Sequence, residues 1–135
     1  MSIPHYHVVA AIILHEEHIL CVQKGIAKYS YVSYKYEFPG GKVEADESHQ
    51  TALRRELWEE LSLDIHVGKL YHTVFHAYPH FHITLSSYLC SAISIATLRL
   101  TEHIDYRWLL PVALPRLDWA AADLPIVTKL ARGSL

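Results

Sequence analysis

Apolar residues gather into runs of two different periods, and the periods predict the elements. Val8–Leu14 and Ile19–Val22 are almost unbroken apolar runs on either side of the polar group His15-Glu16-Glu17-His18. Short runs joined by such a tip read as a hairpin, with strands over residues 6–14 and 18–24. Residues 25–36 change character. Tyr29, Tyr31, Tyr34 and Tyr36 stand among Gly25, Ser30 and Ser33, which predicts a loop with aromatic decoration. Glu37-Phe38-Pro39-Gly40-Gly41 is punctuation: proline fixes φ, and paired glycines permit positive φ. From Ser48 the period becomes helical. Leu53, Leu57 and Leu61 recur every four residues, an apolar stripe for a helix capped by Ser48 and ending near Leu61. Residues 65–79 and 81–93 alternate loosely and carry β-branched and aromatic residues, so two more strands are predicted, with a short one at Arg107–Leu110. Pro111, Pro115 and Pro125 then break the tail. Asp118 is a candidate cap for a last helix, in which Pro125 fits only near the start or at a kink. Strands and helices mix without strict βαβ alternation. The expected class is therefore α/β, with a mixed sheet covered by helices.

Composition narrows the class. The chain has 135 residues, 51% apolar and 19% charged, which suits one globular domain over residues 1–135. A net charge of −2 without a basic block does not indicate binding to a nucleic-acid polymer. No apolar run approaches the ~18 residues of a membrane span, and the amino terminus lacks a signal-peptide pattern. A cytoplasmic protein without membrane contact is expected, with Cys21 and Cys90 as reduced thiols. The 11 histidines raise the question of zinc. His15 and His18 are three apart, outside any predicted helix, and so read as a hairpin tip and not as H-E-x-x-H.

The chemistry concentrates in the predicted helix. Glu56, Glu59 and Glu60 fall at i, i+3 and i+4, which puts three carboxylates on one helical face. Like charges at this spacing repel, so stability does not ask for them. A divalent cation does, because gathered hard oxygen ligands suit Mg²⁺ or Mn²⁺.

The stretch from Gly41 through Glu47 to Arg55-Glu56-Leu57-Trp58-Glu59-Glu60-Leu61-Ser62-Leu63 resembles the signature of the Nudix hydrolases, G-x5-E-x7-R-E-U-x-E-E-x-G-U, with U aliphatic. Every specified position is met except one: Ser62 stands where the family has glycine. If that residue is left-handed, serine costs roughly 1 kcal/mol there. The resemblance implies the Nudix fold, an α/β/α sandwich with a mixed sheet. It also implies that Glu56, Glu59 and Glu60 hold metal with a backbone carbonyl of Gly40 or Gly41. Arg55 and Glu47 are then expected to pair and hold the glycine loop on the helix. Glu44 either reaches a metal through water or is a solvated loop acid.

The likeness extends along the chain. Glu37–Lys42, Pro79–Leu85 and Ala122–Val127 are similar to segments of the MutT branch, which sanitises nucleotide pools. Glu102 falls where that branch carries a further acid near the metals. Lys24 is a candidate for the substrate phosphates. Phe38, Tyr78 and Phe81 match positions that border the base and offer stacking surface, the alternative being core. Asp123 replaces the branch's asparagine. Ionised, it only accepts, and suits an exocyclic amine as on cytosine or adenine; protonated by burial, it can also read oxidised guanine.

These readings imply a Mg²⁺- or Mn²⁺-dependent enzyme that cleaves a nucleoside triphosphate, such as 8-oxo-dGTP, to monophosphate and pyrophosphate. CTP or 5-methyl-dCTP is the alternative substrate. Two other readings are a Nudix-fold nucleotide-binding module without catalysis and a Nudix enzyme on another diphosphate. The presence of all four box acids with Arg55 favours an enzyme, and the small nucleotide is its expected partner.

Overall fold

The structure is a computed structural model and describes residues 2–133 and 135. Its centre is β1 (His5–His15), which pairs on both edges. One neighbour is β2 (His18–Lys24), joined through Glu16 and Glu17, which take φ of 48° and 68°. Two successive positive φ values make a tight turn whose twist suits a hairpin. The other neighbour is β6 (His82–Ala92), parallel to β1, with Val8 opposite Leu85. Short β4 (Gly40–Lys42) also lies against β1, β5 (Ile65–Ala77) closes the far edge on β6, and β3 (Tyr36–Glu37) and β7 (His103–Leu109) flank β2. One parallel pair among antiparallel ones makes the sheet mixed, as expected.

The unbroken apolar character of β1 follows from burial on both faces. Val9, Ala11 and Ile13 pack with Leu53, Leu57 and Leu61 of α1 (His49–Leu61). Ala10 and Ile12 point the other way, to Ile126, Val127 and Leu130 of α2 (Leu124–Ala131). The sheet is thus sandwiched between two helices. Ser48 caps α1 by accepting from the Thr51 N–H at 3.1 Å. Ser62 ends it in the left-handed region, with φ 54° and ψ 34°. Cys21 and Cys90 are free and buried, on opposite sides of the sheet.

Four expectations are corrected. The last strand begins at His103, ahead of Arg107, because its polar first half runs beside β2 and gains ladder bonds that apolar patterning does not reveal. Asp118 caps no helix. Its carboxylate takes the Lys35 ammonium at 2.9 Å, and α2 starts only at Leu124, with Pro125 in its first turn. Gly40 and Gly41 are not at positive φ. They are needed for close approach: a Cβ on Gly40 would collide with the Val9 carbonyl, and one on Gly41 with the Glu56 carboxylate. The aromatic loop gives up Tyr36 to β3 and contains a 3-10 turn at Ser30–Val32.

Candidate active site

The glycine strand and the start of α1 are tied together by one side chain. Arg55 meets Glu47 with two parallel bonds, Nε to Oε2 at 2.7 Å and Nη2 to Oε1 at 2.9 Å. Its Nη2 also donates to the Lys42 carbonyl at 3.1 Å, and its Nη1 to Glu56 at 2.9 Å. A planar guanidinium is suited to this forked role. The Arg55 guanidinium, followed by the bond to the Glu44 backbone, holds the Glu47 carboxyl down at about 2. The expected pairing is therefore present in the geometry. Glu44 is exposed, with its Oε1 3.8 Å from Arg55, and is turned to that guanidinium and to solvent.

The three helix acids differ in surroundings. Glu56 is largely buried beside Gly41, Glu59 is exposed with Oε2 3.5 Å from Arg55 Nη1, and Glu60 points inward. Burial first, then the nearby Glu56, Glu102 and Glu37 charges, push the Glu60 carboxyl up to about 9. Its Oε2 is buried with no hydrogen-bond partner.

Glu60 opens onto a cavity of about 710 Å³ that gathers residues from seven separate segments. Lys24, Phe38, Gly40, Gly41, Tyr78, Phe81, Glu102 and Asp123 all line it. Glu47, Arg55, Glu56 and Glu59 do not line it; Glu56 lies against Gly41, which does, and Arg55 donates to Glu56. Among the lining residues Asp123 is buried, and its Oδ2 accepts the Phe38 N–H at 3.0 Å. Burial, reinforced by Glu37, pushes its carboxyl up to about 8. The Tyr78 hydroxyl accepts the Ala122 N–H at 3.0 Å, which fixes the segment carrying Asp123. Phe38 is buried with its ring 4.7 Å from Trp119, so it serves both core and cavity.

A cavity lined both by Glu60 and by the buried Asp123 invites comparison with known proteins. The NUDIX domain model matches residues 5–130. The chain belongs to the Nudix family. An 8-oxo-dGTP diphosphatase of Proteus vulgaris is 39% identical over 83 residues, 62% of this chain and 73% of its own. A CTP pyrophosphohydrolase of Escherichia coli K12 is 33% identical over 132 residues, 89% of this chain and 87% of its own. The solution structure of the DNA mismatch repair protein MutT, a Nudix hydrolase of methicillin-resistant Staphylococcus aureus 252, superposes with a TM-score of 0.74 at 36% identity, covering 98% of this chain and 99% of that one.

Nudix hydrolases work with a divalent metal, and the residues present fit one. The donors are hard carboxylate and carbonyl oxygens. Glu60 has an orphaned buried oxygen and favours a proton where a cation would relieve the crowding with Glu56. Among the described residues no three such side chains converge on one point, and Glu59 Oε2 lies 3.5 Å from Arg55 Nη1.

Sequence reasoning missed two groups on the Nudix cavity. Glu37 lines it and holds His103, Oε2 to Nε2 at 3.1 Å, with His103 almost fully buried. Tyr29 and His80 also line it, from the aromatic loop and the β5–β6 turn. Glu37 adjoins Phe38 in the chain, and the tyrosine-rich loop was visible; what the sequence lacked was which side of the fold each faces.

Proposed function

We propose that the chain is a nucleoside triphosphate pyrophosphohydrolase, working with Mg²⁺ or Mn²⁺, that releases the monophosphate and pyrophosphate from a modified deoxynucleotide such as 8-oxo-dGTP. The observation that carries this reading is Asp123. It sits buried in the same cavity as Glu60, with one oxygen already accepting from Phe38. Burial pushes its carboxyl up to about 8, which favours the protonated form, and that form can donate to an oxidised guanine.

Each residue then has a task. Lys24 meets phosphate charge at the cavity wall. Phe38, Tyr78 and Phe81 border the base. Glu56, Glu59 and Glu60, with a carbonyl of the Gly40-Gly41 strand, hold the metal. Arg55 and Glu47 keep that strand on the helix, and Glu102 faces Glu60 from the other wall. A bound cation would neutralise phosphate charge and make hydroxide available near neutral pH. Glu60 or Glu102 accepts the proton of the attacking water. A binding module without turnover is disfavoured by the complete acid set.

A second reading has its own support: the similarity to the CTP pyrophosphohydrolase spans most of the chain. An ionised Asp123 would accept from the cytosine amine. Pyrophosphate release from 8-oxo-dGTP, dGTP, CTP and 5-methyl-dCTP with Mg²⁺, at pH 6.5 and 9, separates the two. The proposal expects 8-oxo-dGTP to lead at pH 6.5 and to lose ground at pH 9. A CTP preference at both pH values would overturn it.

A further inference from the structure

The loop between β2 and β3 is closed and internally bonded. The Lys24 N–H meets the Lys35 carbonyl at 3.0 Å, and the Tyr34 N–H meets the Gly25 carbonyl at 3.2 Å. The Ser33 hydroxyl accepts the Ala27 N–H at 2.9 Å and lies 3.0 Å from the Tyr29 carbonyl. This loop presents its rings to the β5–β6 turn. The Tyr31 hydroxyl and His80 Nδ1 are 2.9 Å apart, with their rings within 6° of parallel. Tyr29 lies over that pair, 4.4 Å from His80 at 2° and 5.3 Å from Tyr31 at 7°. Three near-parallel rings form a flat aromatic surface of the kind on which a heteroaromatic ring stacks. Tyr29 and His80 line the cavity, and Tyr31 does not.

We propose that Tyr29 and His80 form a stacking wall for the nucleobase, with Tyr31 as the residue that positions them. This rests on the nucleotide reading above and deepens it. Stacking is indifferent to base identity because every base offers a π face. The wall therefore supplies affinity for any nucleoside triphosphate, and Asp123, at the cavity floor, reads the edge. A loop closed by its own hydrogen bonds has little left to order on binding, so the contact costs little entropy.

The test compares Tyr29→Ala, Tyr29→Phe, His80→Ala and Tyr31→Phe with the wild type, each first checked for an unchanged circular dichroism spectrum. For both a purine and a pyrimidine triphosphate, Tyr29→Ala should raise KM at least about fivefold with kcat within twofold. Tyr29→Phe should stay near wild type. Tyr31→Phe should show a smaller KM rise of the same kind. Inorganic tripolyphosphate, which has no base, should inhibit Tyr29→Ala and wild type equally. An unchanged KM in Tyr29→Ala, or equal weakening of tripolyphosphate, would show the rings to be only a staple for the loop. Should Tyr29→Ala not fold, His80→Ala is read by the same criteria. Should the wild type turn over no nucleoside triphosphate, the nucleotide reading fails, and calorimetric binding of dGMP and dCMP still decides the wall: weaker binding to the alanine variant supports it, and equal binding overturns it.

Discussion

Four side chains carry separable consequences. Glu60 has an unpartnered buried oxygen and a carboxyl pushed up to about 9, and the proposed function makes it a metal ligand. Glu59→Gln and Glu60→Gln nearly preserve shape and remove charge. Each should lower kcat at least about 100-fold in a folded protein, which steady-state pyrophosphate release will measure. Activity within about fivefold of wild type in both would remove the metal assignment. Asp123→Asn restores a group that donates and accepts at every pH. It should abolish the decline in 8-oxo-dGTP turnover between pH 6.5 and 9; a decline that persists unchanged would mean Asp123 does not face the base. Ser62 stands at φ 54°, where glycine carries no Cβ penalty. Ser62→Gly should stabilise by roughly 1 kcal/mol, a rise of a few degrees in Tm by calorimetry, with unchanged kcat. A lower Tm would count against strain at this cap.

At the scale of elements, α1 serves two masters. Its Leu53, Leu57 and Leu61 are fully buried against β1, and the flank beside that stripe carries Glu56, Glu59 and Glu60. The acids repel one another, so the helix is held by its apolar stripe and by Arg55. Leu57→Ala should cost about 2–5 kcal/mol, read from urea unfolding, since a fully packed leucine leaves a cavity. A cost under about 1 kcal/mol would mean that this face is not what anchors the helix. The glycine strand depends on the same packing: Gly41 lies so near Glu56 that any side chain there would displace the carboxylate. Motif glycines often signal a turn; here they allow contact.

For the whole molecule, buried acids set a pH dependence. Glu60 and Asp123 have folded values of about 9 and about 8, above the ~4 of an unfolded carboxyl. The folded state therefore binds their protons more tightly. Their contribution to stability is fully present below about pH 4 and is lost as pH rises through about 8 to 9. Glu47, held down at about 2, works the other way and costs stability as pH falls below about 4. In chelator, Tm should fall between pH 6 and pH 9. Mg²⁺ should restore more of it at pH 9 than at pH 6, because the cation replaces the protons. A Tm in chelator that stays level or rises over this range would show that these carboxyls ionise freely in the folded protein.

Much of this protein is local and so was legible in the chain. Periodicity depends only on neighbours a few residues apart, and it placed β1, β2, α1, β5 and β6. The spacing of Glu56, Glu59 and Glu60 on one helix, and their register with Arg55, Glu47 and Gly41, are local in the same sense. So is the Ser48 cap. What the tertiary structure decided involves residues far apart in sequence. It set the start of β7, whose polar half is held by pairing with β2 and not by its own pattern. It gave Asp118 to Lys35 instead of to a helix. It left Asp123 buried, where charge is costly, so that its carboxyl is pushed up from the ordinary range of an exposed aspartate. It also brought the aromatic loop to His80, a contact across more than 40 residues. Charge state and ring stacking depend on what surrounds a side chain, and the surroundings exist only once the sheet has closed between its two helices.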